Sequence, residues 1–180
     1  MKSKPRKKQP HEKGQAGQQF FDLLRQGTQA LQKGKVAQAV RLLARARRLD
    51  PENADAALNL GGAYILSKKF TQAVAILEPL SEREPHNPMV WTNLGAAYLG
   101  NPVLARDEEQ RRAIAAFERA VELDPATPNV AYNLGLIYRD RRQAEQALAW
   151  FRRAVQANPG DQHARRYVER LTQKVADGDE

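Results

Sequence analysis

The 180-residue chain contains no cysteine. Disulfides, thiolate metal sites, iron–sulfur clusters and a thiol nucleophile are thereby excluded together. Aromatic residues make up only 7% of the chain, and none precedes Phe20. Long apolar runs are missing as well: no stretch approaches the ~18 residues that a membrane-spanning helix requires. The basic residues between Lys2 and Lys13 are not followed by the apolar segment of a secretory leader. These absences point to a cytoplasmic protein with no membrane association. A Gly-rich phosphate loop and a Gly-x-Ser-x-Gly elbow are also lacking, and His11, His86 and His163 are widely separated with no ligand motif around them. The expectation is a protein that is not an enzyme and carries neither a cofactor nor a metal.

Basic residues are plentiful, with 29 Lys and Arg against 21 Asp and Glu, a net charge of +8. Six of them fall in residues 1–19 against Glu12 alone, and the last four residues carry three acids. The stretch between is only mildly basic. A leading segment rich in Lys, Pro, Gln and Gly cannot bury enough apolar area to offset chain entropy, so residues 1–19 read as a disordered basic tail and 176–180 as an acidic end. Such a tail serves solubility or a weak, salt-sensitive nucleic-acid contact.

Repetition dominates the remainder. Pro51, Pro85, Pro125 and Pro159 recur in step with Gly27, Gly61, Gly95 and Gly135 and with Ala39, Ala73, Ala113 and Ala147. All three series share one period, broken once by a six-residue insertion between Gly95 and Ala113. The units are 20–53, 54–87, 88–127 and 128–161. In the later units Leu60, Gly61 and Tyr64, then Leu94, Gly95 and Tyr98, then Leu134, Gly135 and Tyr138 share one helical stripe. A second stripe runs through Ala73, Leu77 and Leu80, through Ala113, Phe117 and Ala120, and through Ala147, Phe151 and Ala154. Each unit is therefore a helical hairpin, in which large side chains on one helix meet small ones on the other. Asn53, Asn87, Thr127 and Asp161 are suited to cap the following helix, with Pro88 and Pro128 at first helical positions. Ala164, Tyr167, Val168, Leu171 and Val175 form the apolar stripe of a capping helix over 162–175.

The Asn-Leu-Gly…Tyr runs Asn93-Leu94-Gly95…Tyr98 and Asn133-Leu134-Gly135…Tyr138, the Ala…Phe…Ala that follows each, and the Asp50-Pro51 and Asp124-Pro125 pairs resemble the tetratricopeptide repeat (TPR) family. The first unit departs from the pattern, with Gln26 and Ala30 where Leu and Tyr would stand. The resemblance implies an all-α fold, a right-handed superhelical α-solenoid of four hairpins plus the capping helix, occupying 20–175. It also implies a scaffold that binds a protein or peptide ligand in a concave groove lined by the first helices. The residues in groove register include Arg25, Asp55, Leu58, Asn59, Met89, Asn93, Asn129, Tyr132, Asn133 and Leu136. Family members that clamp acidic chain ends use a cluster of Lys and Arg there, and this face lacks one. Asn59, Asn93 and Asn133 instead form a ladder of amides able to donate to and accept from a peptide backbone, or to bond neighbouring repeats.

Three further expectations follow. Pro79 lies inside the second helix of its unit, which predicts a kink or early fray. Asn101-Pro102 predicts that the insertion lengthens the second helix of the third unit at its start, with Asp107, Glu108 and Glu109 beside the positive end of the dipole. Exposed arginines on the second helices, with Trp150 for stacking, offer an alternative nucleic-acid- or ribosome-associated role, and Phe20, Phe21, Leu23 and Leu24 offer a surface for self-association.

Overall fold

A computed structural model describes residues 10–100, 106–127 and 129–176, and every regular element in them is an α-helix. The chain divides into two compact units, which meet in sequence between Ile76 and Leu77. The first holds α1 (Pro10–Gln32), α2 (Val36–Leu49), α3 (Ala54–Leu66) and the opening turns of α4 (Phe70–Arg83). The second holds the rest of α4, then α5 (Pro88–Leu99), α6 (Asp107–Leu123), α7 (Val130–Asp140), α8 (Ala144–Ala157) and α9 (Gln162–Ala176).

The hairpins close where a glycine faces a large side chain. A Cβ placed on Gly27 would lie 2.6 Å from Leu43 Cγ, one on Gly95 would lie 2.7 Å from the Phe117 ring, and one on Gly135 would lie 2.8 Å from the Phe151 ring. Leu43, Phe117 and Phe151 are fully buried, as are Ala39, Ala73, Ala113 and Ala147. In the second unit Phe117 packs with Leu134 and Ile137, joining α6 to α7. Phe151 packs with Ala164 and Leu171, joining α8 to α9. In the first unit Leu43 packs with Ala30, Leu60 and Ala63, while Phe20 and Leu23 meet Ala46 and Ala56. Burial of a Leu or Phe contributes about 1.5–3 kcal/mol, so these shared side chains bind successive hairpins together.

Three of the four expected caps form. Asn53 accepts from the Ala56 N–H at 3.0 Å, Asn87 from Met89 at 3.0 Å, and Asp161 from His163 and Ala164 at 2.9 and 3.0 Å. Pro88 opens α5 as expected. Thr127 is different: buried, it donates back to the Asp124 carbonyl at 2.7 Å, and α7 starts later, at Val130, behind Asn129 in a left-handed conformation. Pro128 lies outside the described residues.

Other expectations need correction. Helix α1 starts at Pro10, so the second half of the stretch read as a tail is helical, and residues 1–9 lie outside the described part. Adding turns to an existing helix is far cheaper than nucleating one, which lets α1 extend ahead of its packed section. The expected fray after Pro79 is not found, because α4 remains helical to Arg83. Pro79 and Ala75 are both exposed, so water can serve the carbonyl that the proline leaves without a donor. Residues 101–105, with the cap expected at Asn101-Pro102, lie outside the described part; α6 begins at Asp107 behind Arg106. Its first turn does carry Asp107, Glu108 and Glu109.

Gly34, Lys68 and Arg142 occupy matching turns with φ of 67°, 58° and 59°. In each the next N–H reaches back to close the helix: Lys35 to Ala30 at 2.8 Å, Lys69 to Tyr64 at 2.8 Å, and Gln143 to Tyr138 at 2.9 Å. This is the left-handed helix stop that glycine fills without strain. A side chain there costs about 1–2 kcal/mol, part of which glycine returns as unfolded-chain entropy. Lys68→Gly and Arg142→Gly should each stabilise the protein by about 0.5–1 kcal/mol in urea titrations, and Gly34→Ala should destabilise it by a similar amount.

Candidate functional site

With the hairpin stripe buried, the opposite face of each first helix is open. In the first unit, α1 and α3 touch. On α3, Asp55 is exposed while Leu58 and Asn59 are half-buried. Arg25 on α1 is exposed and paired with Asp22 at 3.0 Å, a contact of small energetic weight in water. Phe21 on α1 is 64% exposed and Leu66 on α3 is 61% exposed. Both occupy the groove register that the sequence assigns to this face.

In the second unit, α5 presents Met89, 45% exposed, and Asn93, half-buried. Helix α7 presents Tyr132, Asn133 and Leu136, all half-buried, with Asn129 exposed in the turn before it. The side-chain amides of Asn59, Asn93 and Asn133 have no hydrogen-bond partner among the described residues. Each is therefore available at a half-buried surface.

Tyr132 and Leu136 are less free than their register suggests. Both pack against the α8–α9 cluster, and Tyr132 meets Phe151 and Tyr167 edge-on with centroids 5.6 and 6.2 Å apart. Burial, then the neighbouring Tyr167 and Asp161, raise the Tyr132 phenol above its ordinary range. At the end of the array the capping helix thus takes up part of a face left open on α5.

The outer arginines of α6 are engaged. Arg112 bonds to Glu78, donates to the Tyr98 hydroxyl at 3.0 Å, and lies 4.1 Å over the Tyr98 ring. Tyr98 in turn donates to Glu78 at 2.7 Å, and this triad borders a recess of about 630 Å³ between α4, α5 and α6. Burial first, and then the Glu78 bond, push the Tyr98 phenol up to about 12 from 10.0. Asp107 bonds to Arg111 and, at 2.6 Å, to Arg141, while Arg119 pairs with Glu122 at 3.0 Å. The acidic start of α6 is therefore part of an ion-pair network and not merely solvated surface. The guanidinium of Arg153 lies 4.7 Å over Trp150, covering one face of the aromatic expected to stack on a base.

Two family models for the tetratricopeptide repeat match residues 30–97 and 103–162, together well over half of the chain. The chain belongs to the tetratricopeptide repeat family. Tetratricopeptide repeats are scaffolds for protein–protein interaction, and a scaffold of that class is the function this membership supports. Solved structures agree on the fold. TTC0263, a thermophilic TPR protein of Thermus thermophilus, superposes with a TM-score of 0.73 at 20% identity, covering 89% of this chain and 84% of that one. A MamA protein gives 0.72 at 22%, covering 91% and 85%. MamA 41-end from Desulfovibrio magneticus RS-1 gives 0.68 at 22%, covering 79% and 77%. At these identities the likeness shows an all-α TPR solenoid fold alone. No curated protein matches the sequence. Among the described residues no helix is long and apolar enough to cross a membrane, and no group of acidic, His or Cys side chains could hold a metal ion.

The Tyr98 environment of this TPR chain has a measurable consequence. A phenol that titrates near 10 when unfolded and near 12 when folded favours the folded state below pH 10, and that contribution fades as pH rises through 12. The urea midpoint should fall between pH 10 and 12, and Tyr98→Phe should make that fall shallower. Tyr132 and Tyr138, also raised, will keep part of the slope. An identical slope in the variant would contradict the assignment.

Proposed function

We propose that the chain is a non-enzymatic adaptor that holds a peptide or protein segment against the open faces of its first helices. In the first unit the Asn59 amide bonds the segment's backbone beside Leu58, joined by Phe21 and Leu66; in the second unit the amides of Asn93 and Asn133 do so beside Met89. Arg25, Asp55 and Asn129 border the same faces, and Tyr132 and Leu136 contribute only the parts not packed under α9. The observation that carries this reading is the recurrence of a half-buried, unpartnered asparagine at one register position in α3, α5 and α7. Half-burial without a bond weakens hydration of the amide and favours a ligand that completes it. The alternative use of these asparagines, bonding between repeats, has no such bond in its favour among the described residues. We take the cytoplasm as the working compartment, since a chain without cysteine gains nothing from an oxidising one.

The nucleic-acid alternative relies in part on Arg111, Arg112 and Arg119, which are paired with acids, and on a tryptophan already covered by Arg153. Self-association through the first helix would have to use Phe21, because Phe20 and Leu23 are already buried.

Affinity capture from the source cell, at low and high salt, tests the proposal. Each backbone bond contributes about 0.5–1.5 kcal/mol, so Asn93→Ala with Asn133→Ala should weaken the captured protein about tenfold while leaving the melting temperature unchanged. Undiminished capture by the double variant would remove the groove assignment. Loss of capture with salt alone, and release of nucleic acid, would favour the alternative.

A further inference from the structure

The second helices of the four repeats carry Leu42, Ile76, Ala116 and Trp150 at one register, 34, 40 and 34 residues apart. Three of these side chains are large, and each is packed. Leu42 lies against the cluster of Phe20, Leu23, Ala46 and Ala56, Ile76 against that of Leu43, Leu60 and Ala63, and Trp150 against that of Phe117, Leu134 and Ile137. Ala116 has only a methyl group at this place, and it lines the recess of about 630 Å³ between α4, α5 and α6. The recess therefore coincides with the one large side chain missing from the series.

Hydrogen bonds hold its walls apart. Trp91 forms one, its indole N–H donating to the Pro85 carbonyl at 3.0 Å. Tyr98 forms another, tied to Glu78 at 2.7 Å and to Arg112 at 3.0 Å. The buried Leu94 lies between them in sequence, and Ala115 is exposed at the mouth. Of the charges on the rim, Arg112 is taken by Glu78 and Arg119 by Glu122. Glu82, one turn beyond Glu78 on α4, is exposed and has no hydrogen-bond or ion-pair partner among the described residues. An apolar space of the size of ordinary ligand pockets, about 300–1,000 Å³, is thus joined to one free carboxylate. The chain itself shows what suits such a place. At the same register of α8 it inserts an indole, with the Arg153 guanidinium 4.7 Å over the ring.

We propose that this recess takes a tryptophan side chain from a segment of a partner protein, with an arginine one helical turn further along that segment pairing with Glu82. A buried aromatic in a preformed pocket is the kind of anchor that carries an interface, and the guanidinium–carboxylate pair sets its direction. A nucleic-acid base fits less well, because its phosphate would meet the free carboxylate of Glu82. The site goes beyond the groove reading and is independent of it. Trp91, Leu94 and Tyr98 belong to the hairpin stripe of α5, whereas Met89 and Asn93 lie on its opposite face.

The probe is a fluorescein-labelled nonapeptide with one tryptophan, an arginine three residues after it, and alanine or serine elsewhere, followed by anisotropy with the full chain. Ala116→Leu supplies the side chain that Leu42 provides in the first repeat. It should weaken binding at least about tenfold, the scale of losing one buried aromatic, without lowering the melting temperature. Ala115→Lys, at an exposed position on the mouth, should weaken binding similarly while leaving the core untouched, so lost binding is not lost folding. Glu82→Gln should cost about twofold to fivefold, the range of an exposed ion pair, and should cost nothing with a peptide in which glutamine replaces the arginine. Asn93→Ala should leave peptide binding unchanged, which separates failure of this site from failure of the groove. The proposal is overturned if the parent does not bind the peptide, if Ala116→Leu and Ala115→Lys both bind as tightly as the parent, or if a peptide with alanine for tryptophan binds equally well. Sedimentation in which the parent pairs and Ala116→Leu does not would also overturn it, by giving the recess to a second copy of the chain.

Discussion

Two helices lie side by side here only because one of them gives up a side chain. Gly27, Gly95 and Gly135 leave the space that Leu43, Phe117 and Phe151 fill, and a single added carbon at any of them would sit well inside contact distance. From that contact follows the rest of each unit. The large side chain, once inserted, is buried and reaches the next helix as well, so Phe117 joins α6 to α7 and Phe151 joins α8 to α9. With one face of each first helix so committed, the opposite face is left for polar and adaptable residues. The function proposed above uses that remaining surface.

The hairpins were legible in the sequence because small and large residues recur at helical spacing in every copy. Caps were legible where the side chain alone decides the outcome, as at Asn53, Asn87 and Asp161. They were not where backbone context intervenes: Thr127 turns its hydroxyl back toward Asp124, and Asn129 in a left-handed conformation delays α7. Lys68 and Arg142 illustrate the same limit, because a residue other than glycine at a left-handed stop carries no marker of its conformation. Only its alignment with Gly34 would have disclosed it. Pro79 misled in the other direction, since the cost of proline in a helix depends on whether the freed carbonyl faces water.

Of the site, the asparagine ladder was legible as a pattern, and the absence of partners for its amides was not. The same face has different fates along the array. On α5 it leaves Met89 open, whereas on α7 the capping helix covers much of Tyr132 and Leu136. A repeat read by itself cannot show what its successor will bury. Charge showed a related effect. Arginines on the second helices read as one solvated outer face, yet those on α6, Arg111, Arg112 and Arg119, are satisfied by carboxylates from their own helix or from a neighbouring element.

The close glycine contact is tested most directly by a double-mutant cycle on Gly95 and Phe117. In the parent, Gly95→Ala should destabilise by about 1–3 kcal/mol through overpacking. With Phe117→Leu already in place, the same substitution should cost much less. If Gly95→Ala instead stabilises both backgrounds equally, by the ~1 kcal/mol that alanine gains over glycine in an open helix, the hairpins do not depend on that contact and the account is contradicted.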